Sequence, residues 1–216
     1  MKRIIFTLLT VFAIFASNAQ EESSKFSFST DLVSRYVWRG TQFSDAPAIQ
    51  PGLSFATGGL TVGAWGSYAL NSNFGAELDL YAGYDFDFGL GVILTDYFFP
   101  SDPASEMYGG YFDKDLHTFE LGLTYSVGNF SLGGYKYLNQ LEDLYVEASY
   151  DIKNVSLFAG AGDQLYTNNG EFNLCNVGIK VSKEVKITDT FIVSPYASFS
   201  VNPNREQGFL VIGLTL

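Results

Sequence analysis

One stretch constrains this chain more than any other. From Glu77 to Phe88 the side chains alternate without a break: Leu78, Leu80, Ala82, Tyr84, Phe86 and Phe88 on one side, Glu77, Asp79, Tyr81, Gly83, Asp85 and Asp87 on the other. A helix would scatter those carboxylates around its surface, whereas a strand collects them on one face. The same period of two runs from Phe26 to Trp38, where Ser27, Ser29, Asp31, Arg35 and Arg39 share the polar side, and from Gly208 to Leu216. About twelve such segments can be read: 26–38, 47–57, 60–69, 76–88, 90–99, 116–126, 130–138, 144–151, 154–163, 172–183, 190–200 and 208–216.

The connections decide what these strands build. Long ones, such as 39–46 and 100–115, take turns with tight ones, such as Gly58-Gly59 and Gly128-Asn129. Alternating long and short links wire an antiparallel transmembrane barrel, whose closure satisfies every backbone amide in lipid. Strands of about ten residues match a tilted crossing of the hydrocarbon layer. A soluble sandwich or lipocalin-like barrel also alternates, but it needs a charged outer face, and only 16% of this chain is charged. Aromatic residues make up 17% of it. They gather at segment ends (Tyr36, Trp38, Tyr68, Tyr97, Phe98, Phe99, Tyr125, Tyr150), where interfacial girdles sit. Gly52, Ser54, Gly63, Ser67, Gly160, Gly162, Ser194 and Ser198 fill the opposite faces. The expected fold is all-β: an up-and-down transmembrane barrel of about 12 strands with both termini on the periplasmic side.

Residues 1–19 read as an export signal: Lys2 and Arg3, an apolar run from Ile4 to Phe15, then Ala16-Ser17-Asn18-Ala19. The barrel would occupy residues 20–216 and lie in the outer membrane. Its expected partners are outer-membrane lipid, small solutes and, during assembly, periplasmic chaperones and the barrel-assembly machinery. Removing the signal takes the formal charge from −11 to −13, because Lys2 and Arg3 leave with it. Such an acidic surface repels nucleic-acid phosphates. The single cysteine, Cys175, excludes an intrachain disulfide framework, and its alternation with Val177, Ile179 and Val181 predicts a lipid-facing position.

A dense motif opens the chain. Ser34-Arg35-Tyr36-Val37-Trp38-Arg39-Gly40-Thr41-Gln42-Phe43-Ser44-Asp45 continues through Pro47-Ala48-Ile49-Gln50 to Gly63-Ala64-Trp65-Gly66-Ser67. This stretch resembles the TorF family of bacterial porin-type proteins. The resemblance implies an outer-membrane barrel with a pore role, and it brings no substrate, cofactor or catalytic residue. Tyr36, Trp38, Arg39, Gly40, Gln42, Ser44, Asp45, Pro47, Ala48, Ile49, Gln50, Trp65, Gly66 and Ser67 are the positions it covers.

Charge on the inward faces suggests what the lumen does. Arg35, Arg39 and Lys180 oppose Glu77, Asp79, Asp85, Asp87, Glu120 and Glu147. A constriction that selects solutes and a salt-bridge network that fills the lumen both fit this set. The excess of acids favours cations. Catalytic chemistry is sparse. His117 is the only histidine, and no Gly-x-Ser-x-Gly elbow accompanies it, so it reads as a boundary residue facing water or lipid headgroups. Asp102, Glu106, Asp113 and Asp115 in the longest loop read as solvated charge, since they lack the spacing of a calcium loop. No catalytic, cofactor or metal residue is assigned. The expected function is passive diffusion of small, preferentially cationic solutes. A lipid-directed esterase or phospholipase in a barrel, and a plugged structural or adhesive barrel, are the alternatives.

Overall fold

A computed structural model describes residues 25–70, 76–100, 110–189 and 191–216. The expected signal at 1–19 and the loop acids Asp102 and Glu106 lie outside the described residues.

The strands in chain order are β1 (Lys25–Val33), β2 (Tyr36–Trp38), β3 (Thr41–Ser44), β4 (Ala48–Thr57), β5 (Leu60–Ala69), β6 (Ala76–Asp85), β7 (Leu90–Phe98) and β8 (His117–Val127). They continue with β9 (Phe130–Tyr137), β10 (Leu144–Ile152), β11 (Val155–Gly162), β12 (Asn173–Ser182), β13 (Val185–Lys186), β14 (Ile192–Asn202) and β15 (Gln207–Thr215). Twelve of them, β1, β4 to β12, β14 and β15, form a closed antiparallel barrel, each paired with its neighbours in the chain. Strands β14 and β15 pair with each other, and β15 closes the ring on β1 with Asp31, Leu32 and Val33 opposite Thr215, Leu214 and Gly213. Of the remaining three, β13 extends the wall at β14, and β2 and β3 pair only with each other.

The period of two sorts the wall into two faces. Outward stand large apolar side chains exposed on the isolated chain, among them Phe28 at 72%, Ile212 at 60% and Leu123 at 51%. Inward stand glycines, serines, acids and tyrosines. The inward glycines serve the tyrosines, whose rings lie on them. A Cβ on Gly213 would come within 2.1 Å of the Tyr196 ring, and one on Gly160 within 2.1 Å of the Tyr145 hydroxyl. Aromatic rings laid over glycines of the next strand fill the lumen without bulky aliphatic side chains.

Three expectations change here. The segment 26–38 is not one strand: it leaves the wall after Val33, and Tyr36–Trp38 pairs with Thr41–Ser44 in a hairpin of its own. Arg35 and Arg39 therefore do not share a barrel strand with Asp31. The alternation survives the break because a hairpin inside the lumen and a wall strand have the same period. Asp87 lies in the exposed turn after β6, which ends at Asp85, so it is not on the inner wall. Cys175 faces inward and is fully buried. A register shift opposite Gly160 and Ala161 leaves it as the extra residue between Leu174 and Asn176. Such a bulge reverses the in–out phase on one side of it.

The aromatic residues also divide. Tyr68, Tyr125 and Tyr150 are exposed at strand ends on the outer face, whereas Tyr36, Trp38 and Tyr97 turn into the lumen and pack together. The longer connections, including 34–47, 138–143 and 163–172, gather at one end, and the tight turns at Gly58-Gly59 and Gly128-Asn129 gather at the other.

Candidate functional site

The site begins with a turn. Trp38 pairs with Thr41, which leaves Arg39 and Gly40 as a two-residue hairpin loop, both with positive φ (49° and 73°). Such turns match the twist of the strands they join. Gly40 is required twice over. Its φ is left-handed, and a Cβ there would meet the Cys175 carbonyl oxygen at 2.0 Å. The loop thus presses its backbone against β12, and Asn202 at the end of β14 donates to the Gly40 carbonyl at 3.0 Å. The hairpin between β1 and β4 is folded into the barrel.

Arg39 sits at the tip of this hairpin. Its two terminal nitrogens donate to Glu120 on β8 at 2.5 and 3.0 Å, and one also donates to the Tyr166 hydroxyl at 3.1 Å. The guanidinium lies over the rings of Trp38, Tyr135 and Tyr145 at 4.1, 4.0 and 4.7 Å. Only Arg offers a planar fork that can grip a carboxylate and stack on aromatics together. Tyr97 also donates to Glu120, at 3.0 Å. A second inward element supports the tip. The 163–172 connection carries Tyr166 in a short 3-10 turn, where Asn202 donates to its carbonyl and Arg205 donates to the Leu165 carbonyl at 2.7 Å. Burial pushes the Tyr166 hydroxyl up to about 12, with Arg39 pulling the other way. Burial also raises the Asp143 carboxyl, against a hydrogen bond from the Leu165 N–H.

The motif's separated pieces meet around the hairpin. Tyr36 packs on Trp65 of β5 and on Phe43 of β3, with ring centres 5.7 and 5.3 Å apart. Gln50 of β4 donates to Ser67 of β5 at 3.2 Å, both buried. Ser44 accepts from the Ala46 N–H at 3.1 Å, turning the chain towards Pro47 and the buried Ala48. Arg35 donates to Gln42 across the base of the hairpin at 3.1 Å. Ile49 points outward, half-exposed, and a Cβ at Gly66 would lie 3.1 Å from the Glu77 carbonyl oxygen. The hairpin and the two wall strands that follow it are one packed unit.

Beside the hairpin, toward β1 and β4 to β7, a cavity of about 400 Å³ remains. Its walls include Tyr36, Trp38, Trp65, Tyr81, Tyr97 and Asp79, with Ser27, Ser29, Ser54 and Thr95. The predicted lumen acids separate into different roles. Glu120 holds Arg39. Glu147 accepts from Tyr145 and Asn176. Glu77 is buried and hydrogen-bonded to Tyr36. Asp79 is 7% exposed, and its Oδ1 has no hydrogen-bond partner among the described residues. Asp85 is exposed at the far rim, and Lys180 stacks on Tyr196 at 4.1 Å.

His117 departs from its sequence reading. It is buried under Tyr111 and Phe98 rather than facing water, with Nδ1 bonded to Asp96 at 2.9 Å and Nε2 to the Tyr111 carbonyl at 2.6 Å. The Tyr111 carbonyl only accepts, so Nε2 carries a hydrogen, while Nδ1 is taken up by the Asp96 carboxyl group. Asp113, one of the loop acids, accepts from the Asp115 N–H and so caps the turn before β8.

Sequence reasoning missed the tyrosines Tyr135, Tyr137, Tyr145 and Tyr166, Asn202 and the inward Cys175. The inward tyrosines carried a signal, since each stands at the phase of a glycine-rich polar face. Tyr166 and Asn202 carried none, because a loop and a strand end have no period to read.

A family model described as a bacterial protein of unknown function (Gcw_chp) matches residues 18–193. No curated protein matches the chain.

Proposed function

The chain belongs to the Gcw_chp family, and we propose that it is an outer-membrane channel for small solutes, narrowed by its inward hairpin and preferring cations. The charge around the lumen carries this reading. Asp31, Glu77, Asp79, Asp85, Glu120 and Glu147 face inward, against Lys25 at the rim beside Asp85, Arg39 at the hairpin tip and Lys180 on the wall. Among the described residues that is six acids to three cations, and Glu120 already neutralises Arg39. A low-dielectric wall focuses such an imbalance onto the axis. The membrane seat is supported by the apolar outer face, which in water would be an aggregation surface, and by the export signal read at 1–19. The resemblance of the opening motif to the TorF porin-type proteins points the same way. The engagement of both His117 nitrogens leaves no free base there, which supports transport over ester hydrolysis.

A second reading has one observation in its favour. The bidentate latch on Arg39 and the loop packed behind it suit a lumen kept shut, as in a structural or adhesive barrel. Planar-bilayer recordings on the refolded protein separate the two. The channel reading expects conductance with a cation-selective reversal potential in a KCl gradient, weakening as salt shortens the reach of the wall charge. Anion selectivity refutes the cation preference. Silence from a barrel that still shows heat-modifiable migration refutes the channel.

A further inference from the structure

We infer that the cavity beside the hairpin is a binding site for a small organic ammonium ion, with Asp79 as its counter-charge and the surrounding aromatic side chains as its walls. This deepens the cation-preferring reading and rests on it for the charge of the solute, but the site does not require conduction.

Three observations converge. The first is size: about 400 Å³ falls inside the range of about 300–1,000 Å³ that holds small-molecule ligands. The second is an unanswered acid. Asp79 is more than nine-tenths buried, lines the cavity, and presents an oxygen without a hydrogen-bond partner among the described residues. A buried carboxylate is costly unless a positive or hydrogen-bonding group meets it. The neighbouring charges do not supply one. Glu77 stands two positions away on the same face, and Arg39 is held by Glu120.

The third observation is the chemistry of the walls. Tyr36, Trp38, Trp65, Tyr81 and Tyr97 line one cavity. Electron-rich ring faces attract cations, and an aromatic cage is how alkylammonium groups are recognised. A small inorganic cation prefers a shell of oxygens to rings. Aromatic walls around a single open carboxylate therefore select an organic cation, with the ring faces meeting its alkyl groups and Asp79 its charge. The hairpin contributes two of the five rings, so seating the hairpin completes the site.

The chain's two tryptophans, Trp38 and Trp65, both line this cavity, so intrinsic fluorescence reports on it directly. The refolded protein is titrated with choline chloride, with its uncharged isostere 3,3-dimethylbutan-1-ol, and with NaCl at matched ionic strength. The expected result is a saturable fluorescence change with choline, at least about tenfold weaker with the neutral isostere and absent with NaCl. Asp79→Asn, checked for folding by heat-modifiable migration, should weaken choline by about tenfold or more. Equal response to choline and its isostere overturns the proposal, and so does a saturable response to NaCl, which would indicate an inorganic-cation site. An Asp79→Asn protein that folds and binds choline unchanged also overturns it. The isostere comparison uses the unmodified protein, so it decides even if the variant fails to fold. Choline binding without conductance would leave this site standing and remove the channel reading, and conductance without binding would do the reverse.

Discussion

Truncating Arg39 tests whether the hairpin is fastened or merely resting in the lumen. The side chains of Arg39 and Glu120 are 10% and 4% accessible and share two hydrogen bonds. An exposed pair of this kind contributes about 0–1 kcal/mol, whereas removing one partner of a buried pair costs about 3–5 kcal/mol, because the other charge is left behind. Arg39→Ala also removes the guanidinium from three rings, each worth roughly 0.5–1 kcal/mol. Tyr97 would still donate to Glu120, which softens the loss. The expected destabilisation is therefore about 3–5 kcal/mol, read by urea unfolding of the refolded barrel in detergent with tryptophan fluorescence as the probe. Two further variants identify the cause. Glu120→Gln in the Arg39→Ala background should recover part of the loss, because it deletes the stranded charge. Arg39→Gly should lose about 1 kcal/mol less than Arg39→Ala, since glycine tolerates the left-handed φ of 49°. A loss below about 1 kcal/mol in Arg39→Ala, with an additive double variant, would refute the latch and leave a hairpin held by its aromatic packing.

Other outcomes follow from the same geometry. Gly40→Ala should push the hairpin off β12, so that Cys175, fully buried and expected to resist maleimide in the folded parent, becomes labelled; a protected thiol in the folded variant counts against the close contact. Leu123→Lys on the outer face should cost about 2–4 kcal/mol in lipid, while Ser194→Lys on the inner face, opposite Thr215, should leave stability nearly unchanged; equal costs would contradict a lipid-facing belt. In a Cys175→Ser background, Asn168→Cys should be labelled on intact cells and Lys153→Cys only after permeabilisation, because the long connections and the tight turns occupy opposite ends; the reverse pattern would invert the topology.

Local pattern set a large part of this molecule. The alternation from Glu77 to Asp85 determined a strand with acids on one face, and all eleven segments after 26–38 landed on barrel strands, because a two-residue period needs only the backbone's own geometry. The tight turns at Gly58-Gly59 and Gly128-Asn129 were legible for the same reason. What the period could not state is which surface a strand meets. Tyr36 and Trp38 keep the rhythm of β1 yet leave the wall, because hydrogen bonding to Thr41–Ser44 and packing on Trp65 are contacts between residues distant from any local signal. One bulged residue turned Cys175 from the outer face to the lumen, since a single insertion inverts a period of two. Arg39 was recognisable as a cation in need of an acid, and six candidate acids were equally good in one dimension. Only closure of the barrel brought Glu120 to it across 81 residues and set Asp79 in the cavity wall beside the hairpin, because electrostatic pairing depends on distances that the fold alone creates.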